Sequence, residues 1–254
     1  MRQRLPLLLC FIFSLCSQAE TLRFATDSWC PYICDPQSPR PGILVEATSE
    51  ILLSTRYQPE YIRINWAQSI KQVRSGQLDA LMGTYISDAP DFIFGNTAFM
   101  QSQMCFFVPQ TDTWQYRNLL DLDNRRIAIM NGYSYGALMD SYILNNENSG
   151  EQNIMRVSGD EDLKRRLTLL NRGRINTIIE DKRVFSYFVS QSGLGSQFNT
   201  AGCLKPEAVH IGFSPNLESS LQQAAILEEG IKQLEKSGRL EQIIQSYLTV
   251  HQAF

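Results

Sequence analysis

Apolar positions along residues 20–250 fall into short runs that switch between two periods. Residues 22–25, 60–64 and 78–82 read as strands. Between them, residues 43–54 and 66–74 carry apolar side chains at three- and four-residue spacing, the mark of helices with one buried face. The rhythm then restarts, with strands over 126–130, 154–157 and 175–179 and helices over 135–144 and 160–170. Such strand–helix–strand succession predicts an α/β fold with open, largely parallel sheets, because parallel neighbours need a long crossover connection. The two rounds share a local signature. Ser75-Gly76-Gln77-Leu78-Asp79-Ala80 and Arg172-Gly173-Arg174-Ile175-Asn176-Thr177 each end a helix on glycine and enter an apolar strand two residues later, with a polar residue at its second position. Two copies imply two similar lobes rather than a solenoid.

Extended runs at 104–108 and 209–213 flank the second round, and helices over 217–234 and 240–247 close the chain. The first lobe is therefore expected over residues 20–108 plus 209–254 and the second over 109–208. Two side-by-side crossings would form a hinge.

The first 19 residues read differently. Arg2 and Arg4 precede an apolar stretch over 5–16, and Ser17-Gln18-Ala19 puts small residues at the minus-three and minus-one positions of a cleavage site. That is the layout of a secretory signal peptide, and the stretch is too short to span a bilayer. The mature chain is expected to begin at Glu20 and to be periplasmic. Its formal charge is then more negative than the −3 of the whole chain, since both arginines are lost. No basic stripe is visible, which excludes nucleic acid as a partner. Four cysteines remain: Cys30, Cys34, Cys105 and Cys203. In an oxidising compartment they read as disulfides. Cys30 and Cys34 can close a small loop, leaving Cys105 to pair with Cys203 and brace the crossing. The competing metal reading has only His210 and His251 to draw on, and neither stands at ligand spacing near a cysteine. No metal and no cofactor is expected.

The ordered succession Thr26-Asp27-Ser28-Trp29-Cys30-Pro31-Tyr32, Pro41-Gly42-Ile43-Leu44-Val45-Glu46, Gly76-Gln77-Leu78-Asp79-Ala80, Asn131-Gly132-Tyr133-Ser134 and Gly173-Arg174-Ile175-Asn176…Asp181 resembles the extracellular solute-binding proteins of the polar amino-acid type. The resemblance covers essentially the whole mature chain. It implies a periplasmic-binding-protein-like fold of two α/β lobes, a two-strand hinge, and a small-molecule ligand held in the cleft between them. It also implies delivery to a membrane importer driven by ATP, and a monomer.

Ligands of α/β sheets sit at the carboxyl ends of the strands, so four loops supply the expected ligand contacts. Asp27, Trp29 and Tyr32 follow the first strand, and Asp27 matches a pocket-lining position of the family. Thr84 and Tyr85 follow the third strand. Tyr133 and Ser134 precede a helix, where Ser134 can cap the helix while backbone amides point at an anion. Asp181 matches the family's ammonium-binding aspartate. Trp66, at a helix start, completes the set.

One departure stands out. Amino-acid binders of this family carry an arginine after the Thr84-like loop as a fork for the ligand carboxylate. Here the segment is Tyr85-Ile86-Ser87-Asp88-Ala89-Pro90-Asp91-Phe92, with aspartates and no arginine. That favours a cationic or neutral solute over an ordinary α-amino acid. Arg40, Arg63 and Arg117 are the other arginines that could stand in. Two further readings remain: a sensor subunit presenting the same closed form to a membrane receptor, and a hydro-lyase on the same fold with Glu180 as proton donor.

Overall fold

A computed structural model describes residues 19–149, 153–159, 162–194 and 197–248. The leader expected over residues 1–19 thus falls, up to residue 18, outside the described residues.

The first round folds as β1 (Glu20–Thr26), α1 (Ile43–Leu52), β2 (Tyr57–Arg63), α2 (Trp66–Arg74) and β3 (Ala80–Thr84). Strand β1 lies between β2 and β3, parallel to both. Alternation along these strands sorts side chains to two faces. Leu22 and Phe24 of β1 and Met82 of β3 join the main core beneath α1. Ala25 and Leu81 point the other way and pack with Trp66, Ile70 and Val73 of α2 in a smaller core. Burying a side chain such as Phe24 contributes about 1.5–3 kcal/mol.

Short strands β4 (Ile93–Phe94) and β5 (Met100–Ser102) lead to β6 (Met104–Pro109). The second round follows as β7 (Ile127–Met130), α3 (Ala137–Ser149), β8 (Ile154–Val157), α4 (Asp162–Asn171), β9 (Thr177–Asp181) and α5 (Lys182–Gln191). The chain returns through β10 (Phe198–Cys203) and β11 (Glu207–Phe213) and ends in α6 (Ser220–Lys236) and α7 (Arg239–Leu248), which pack on α1.

Two sheets result. The first runs β2-β1-β3-β11-β4, with β5 also on β11; the second runs β10-β6-β9-β7-β8. In each, three parallel strands meet an antiparallel one, β11 beside β3 and β6 beside β9, and further antiparallel pairs extend the sheet beyond it. The run over 104–108, expected to close the first lobe, is therefore a member of the second sheet. Its backbone groups are committed to β9 and β10.

The shared glycine signature has a shared structural role. Gly76 and Gly173 both hold positive φ, 78° and 64°, where a side chain would be strained. Three residues on, Asp79 accepts the Arg23 N–H at 2.8 Å and Asn176 accepts the Arg126 N–H at 2.9 Å. In return the Asp79 and Asn176 amides donate to the Arg23 and Arg126 carbonyls, at 3.1 and 3.0 Å. The polar residue locks its strand to the start of a parallel neighbour, β1 for Asp79 and β7 for Asn176. The strands proper start at Ala80 and Thr177, two residues later than the apolar runs suggested, because Asp79 and Asn176 are used in these locks.

Both expected disulfides are present, Cys30–Cys34 and Cys105–Cys203. The second joins facing positions of β6 and β10.

Candidate functional site

The carboxyl ends of β1, β3, β7 and β9 meet where the two lobes face each other. The loop after β1 is held by Gly42. Its φ of 110° and the closeness of the Tyr32 carbonyl, 2.5 Å from where a Cβ would sit, both demand glycine. This loop presents Trp29, whose ring stacks on Tyr32 at 4.1 Å between centroids and meets the edge of Tyr85 at 6.3 Å. The Trp29 Nε1 is buried and has no hydrogen-bond partner among the described residues.

Hydrogen bonds beside the aromatic residues join the two sides of the cleft. Trp66 Nε1, at the start of α2, donates to the Gly132 carbonyl at 3.1 Å, with the Trp66 and Tyr133 rings edge to face. The Ser134 N–H donates to Asp88 Oδ1 at 3.0 Å. Between these bonds the aromatic walls leave only about 10 Å³, beside Asp27, Trp29, Trp66, Tyr85 and Tyr133. That is space for one water. A larger cavity of about 220 Å³ continues past Asp27, Trp29 and Tyr133 toward Glu180, Asp162, Tyr187 and Phe188, with Arg63 and Lys164 also on its walls.

Two carboxylates, Glu180 and Asp162, stand on the larger cavity's wall beside Lys164. Glu180 Oε2 accepts from the fully buried Arg166, which also holds Asp162, and Glu180 Oε1 accepts the Asp181 N–H at 2.9 Å. Burial pushes the Glu180 carboxyl upward and the Arg166 charge pulls against it. Both oxygens of Glu180 are thus engaged with protein groups. Asp88 likewise is pushed up, to about 6, by burial, with the Glu207 charge adding to the rise and three donors opposing it.

The sequence pattern of the bacterial extracellular solute-binding proteins, family 3, matches residues 22–250. The chain belongs to that family. Comparison with curated protein sequences finds no match. Solved structures agree on the fold. A histidine kinase sensor domain with similarity to periplasmic binding proteins has a TM-score of 0.75 at 18% identity, covering 91% of this chain and 97% of that one. A substrate-binding protein of an ABC uptake transporter from Streptococcus pneumoniae, with bound histidine, has a TM-score of 0.73 at 16% identity, covering 91% and 93%. A structure from glutathione import through a cystine ABC importer of Streptococcus mutans has a TM-score of 0.73 at 15% identity, covering 91% and 95%.

In this family 3 protein the expected site residues divide. Asp27, Trp29, Trp66, Tyr85 and Tyr133 come together around the cleft. Ser134 lies at its edge, with its hydroxyl donating to Asp140 at 2.6 Å and its amide facing Asp88. Thr84 is fully buried and donates to Asp88 Oδ2 at 3.2 Å. Tyr32 sits behind Trp29 as a completely buried support.

Asp181 stands apart from this group. It lines neither cleft cavity. Its Oδ1 caps α5 by accepting the Arg183 and Val184 amides at 2.8 and 3.0 Å. Its Oδ2 accepts from Ser102 Oγ, Gln103 N and Tyr32 OH at 2.7, 3.0 and 3.1 Å. Five donors occupy the lone pairs that a ligand ammonium would need. Asp91, expected to oppose a carboxylate alongside Asp88, instead pairs with Arg74 at the surface, at 2.7 Å. Of the three arginines that could replace the absent clamp, Arg40 lies over Tyr247 and Arg117 pairs with Asp121; only Arg63 reaches the cavity. The contributions of Val184, Tyr187 and Phe188 were missed. Their signal was the amphipathic spacing after Lys182, which reads as a helix with one face toward β9.

Proposed function

We propose that the protein is an exported solute-binding protein whose cleft closes on a small polar solute, amino-acid-like or a cationic amine, and delivers it to a membrane ABC importer. The observation that carries this reading is the aromatic cavity bounded by both lobes, with the Asp27 carboxylate and the unsatisfied Trp29 N–H on its wall. Aromatic faces and a carboxylate suit an organic cation, and the indole N–H supplies a donor for an acceptor on the same solute. Contacts made to both lobes at once favour the closed form, which is how a solute shifts a hinge equilibrium. The lobes divide at Gln103 and at Leu204–Pro206, the leader is removed at Glu20, and the protein acts as a monomer without chemistry of its own. Glu180, the one candidate proton donor, is held by Arg166 and the Asp181 amide. A thermal-shift screen of the purified protein against amino acids, polyamines, quaternary amines and short peptides tests the reading. A solute that binds only the folded state raises the melting temperature with its occupancy, and a screen without any shift contradicts it.

The likeness to a histidine kinase sensor domain supports a second reading, in which the closed form is presented to a membrane receptor. Radiolabelled uptake in a deletion strain separates the two: transport fails in the first case and only transcription changes in the second.

A further inference from the structure

Three donors converge on one carboxylate at the edge of the cleft. Asp88 Oδ2 accepts the Tyr85 N–H at 2.8 Å and shares the single Thr84 hydroxyl proton, at 3.2 Å, with the Tyr85 carbonyl at 3.0 Å, and Oδ1 accepts the Ser134 N–H at 3.0 Å. Two donors come from the first lobe and one from the second. Oriented backbone and hydroxyl donors meeting at one point form an anion site, and here the anion belongs to the chain. The Ser134 hydroxyl is turned away to Asp140, so the amide is what this residue offers to the site.

We propose that Asp88 is a resident anion. It fills, from within the protein, the place where a solute carboxylate could engage both lobes, so the cleft takes an organic cation that carries no carboxylate at that end. This rests on the solute-binding reading above. The surrounding charge supports it. A solute carboxylate placed there would meet Asp88 itself, Glu207, which holds the Ser87 hydroxyl at 3.2 Å, and Asp140, with no cationic side chain among the described residues bonded to Asp88 to offset them. Arg63 and Lys164 lie on the wall of the larger cavity instead.

Emptying the site tests the idea directly. Melting of Asp88→Ala and of the unsubstituted protein is followed in sodium formate and, at equal ionic strength, in sodium chloride. Formate is expected to raise the melting temperature of Asp88→Ala saturably and to leave the unsubstituted protein where chloride leaves it. Equal shifts in both proteins, or none in either, overturn the proposal. A second measurement needs no variant: calorimetry of the unsubstituted protein against pairs that differ by one carboxylate, arginine with agmatine, lysine with cadaverine and histidine with histamine. The amine of a binding pair is expected to bind at least about tenfold tighter, and a preference for the amino acid overturns the proposal. Formate rescue with no binding in any pair supports the resident anion while counting against the solute reading on which it was built.

Discussion

Tyr32 donates its hydroxyl to Asp181 at 3.1 Å and so ties the loop that carries Trp29 to the cap of α5, two segments 149 residues apart. The bond links Asp181 to the Trp29 loop, and Asp181 lines neither cleft cavity. Asp181→Ala leaves buried donors from Tyr32, Ser102 and Gln103 without a partner and uncaps α5. A stability loss of about 3 kcal/mol is expected. Asp27→Asn should leave the denaturation midpoint within experimental error of the parent's and weaken solute binding. Urea denaturation paired with calorimetry separates the two effects.

Trp66→Phe keeps an aromatic ring against Tyr133 but removes the Nε1–H donated to Gly132 across the cleft. A neutral hydrogen bond is worth about 1 kcal/mol net. Because it forms only when the lobes meet, its loss should weaken solute affinity about fivefold, read by calorimetry, while the melting temperature of the ligand-free protein changes little.

The two disulfides should differ in what they support. Cys105 and Cys203 are 98 residues apart in sequence, so replacing both by serine relaxes a long loop in the unfolded chain and is expected to cost about 2–5 kcal/mol. Cys30 and Cys34 enclose a short span beside Trp29. Replacing them should cost less stability and more solute affinity. Denaturant midpoints and binding constants of the two double variants provide the check.

Asp88 gives a pH signature. Its carboxyl is pushed up to about 6 in the folded protein, whereas an unfolded aspartate titrates near ~3.9. Between those values the folded state holds a proton that the unfolded state releases. The stabilisation is therefore full below the unfolded value and is lost as pH rises through about 6. The stability of the unsubstituted protein relative to Asp88→Asn should fall between pH ~4 and ~6 and level off above ~7. Because Glu207 and Asp140 remain in both proteins, the difference isolates Asp88. Denaturation across that range measures it.

Much of this fold is legible in sequence because its helices have one apolar face and its central strands are apolar throughout. The helix Trp66–Arg74 and the strand Ile154–Val157 fall where periodicity puts them. Strand β10 was not legible: Phe198–Cys203 reads Phe-Asn-Thr-Ala-Gly-Cys, polar and glycine-containing, and is held by ladder bonds to β6 rather than by its own pattern. The placement of Met104–Pro109 in the second sheet was hidden for a related reason, since an apolar run does not say which sheet will pair with it. At the cleft, Trp29, Tyr85 and Tyr133 come together, and each follows a strand in the sequence. The hydrogen bonding of Asp181 and Asp88 was not legible, because an aspartate after a strand can face a ligand or its own backbone. Only the three-dimensional donors, five around Asp181 and three around Asp88, distinguish these roles.

Calorimetry of the solute giving the largest thermal shift, against the parent protein, Asp27→Asn and Trp29→Phe, tests the cleft as the binding site most directly. The account predicts one site in the parent and a loss of about tenfold or more in affinity in Asp27→Asn, where a desolvated charge partner is removed. A smaller loss is predicted in Trp29→Phe, which keeps the ring but not the N–H. Unchanged affinity in both variants would contradict it and put the solute elsewhere on the molecule.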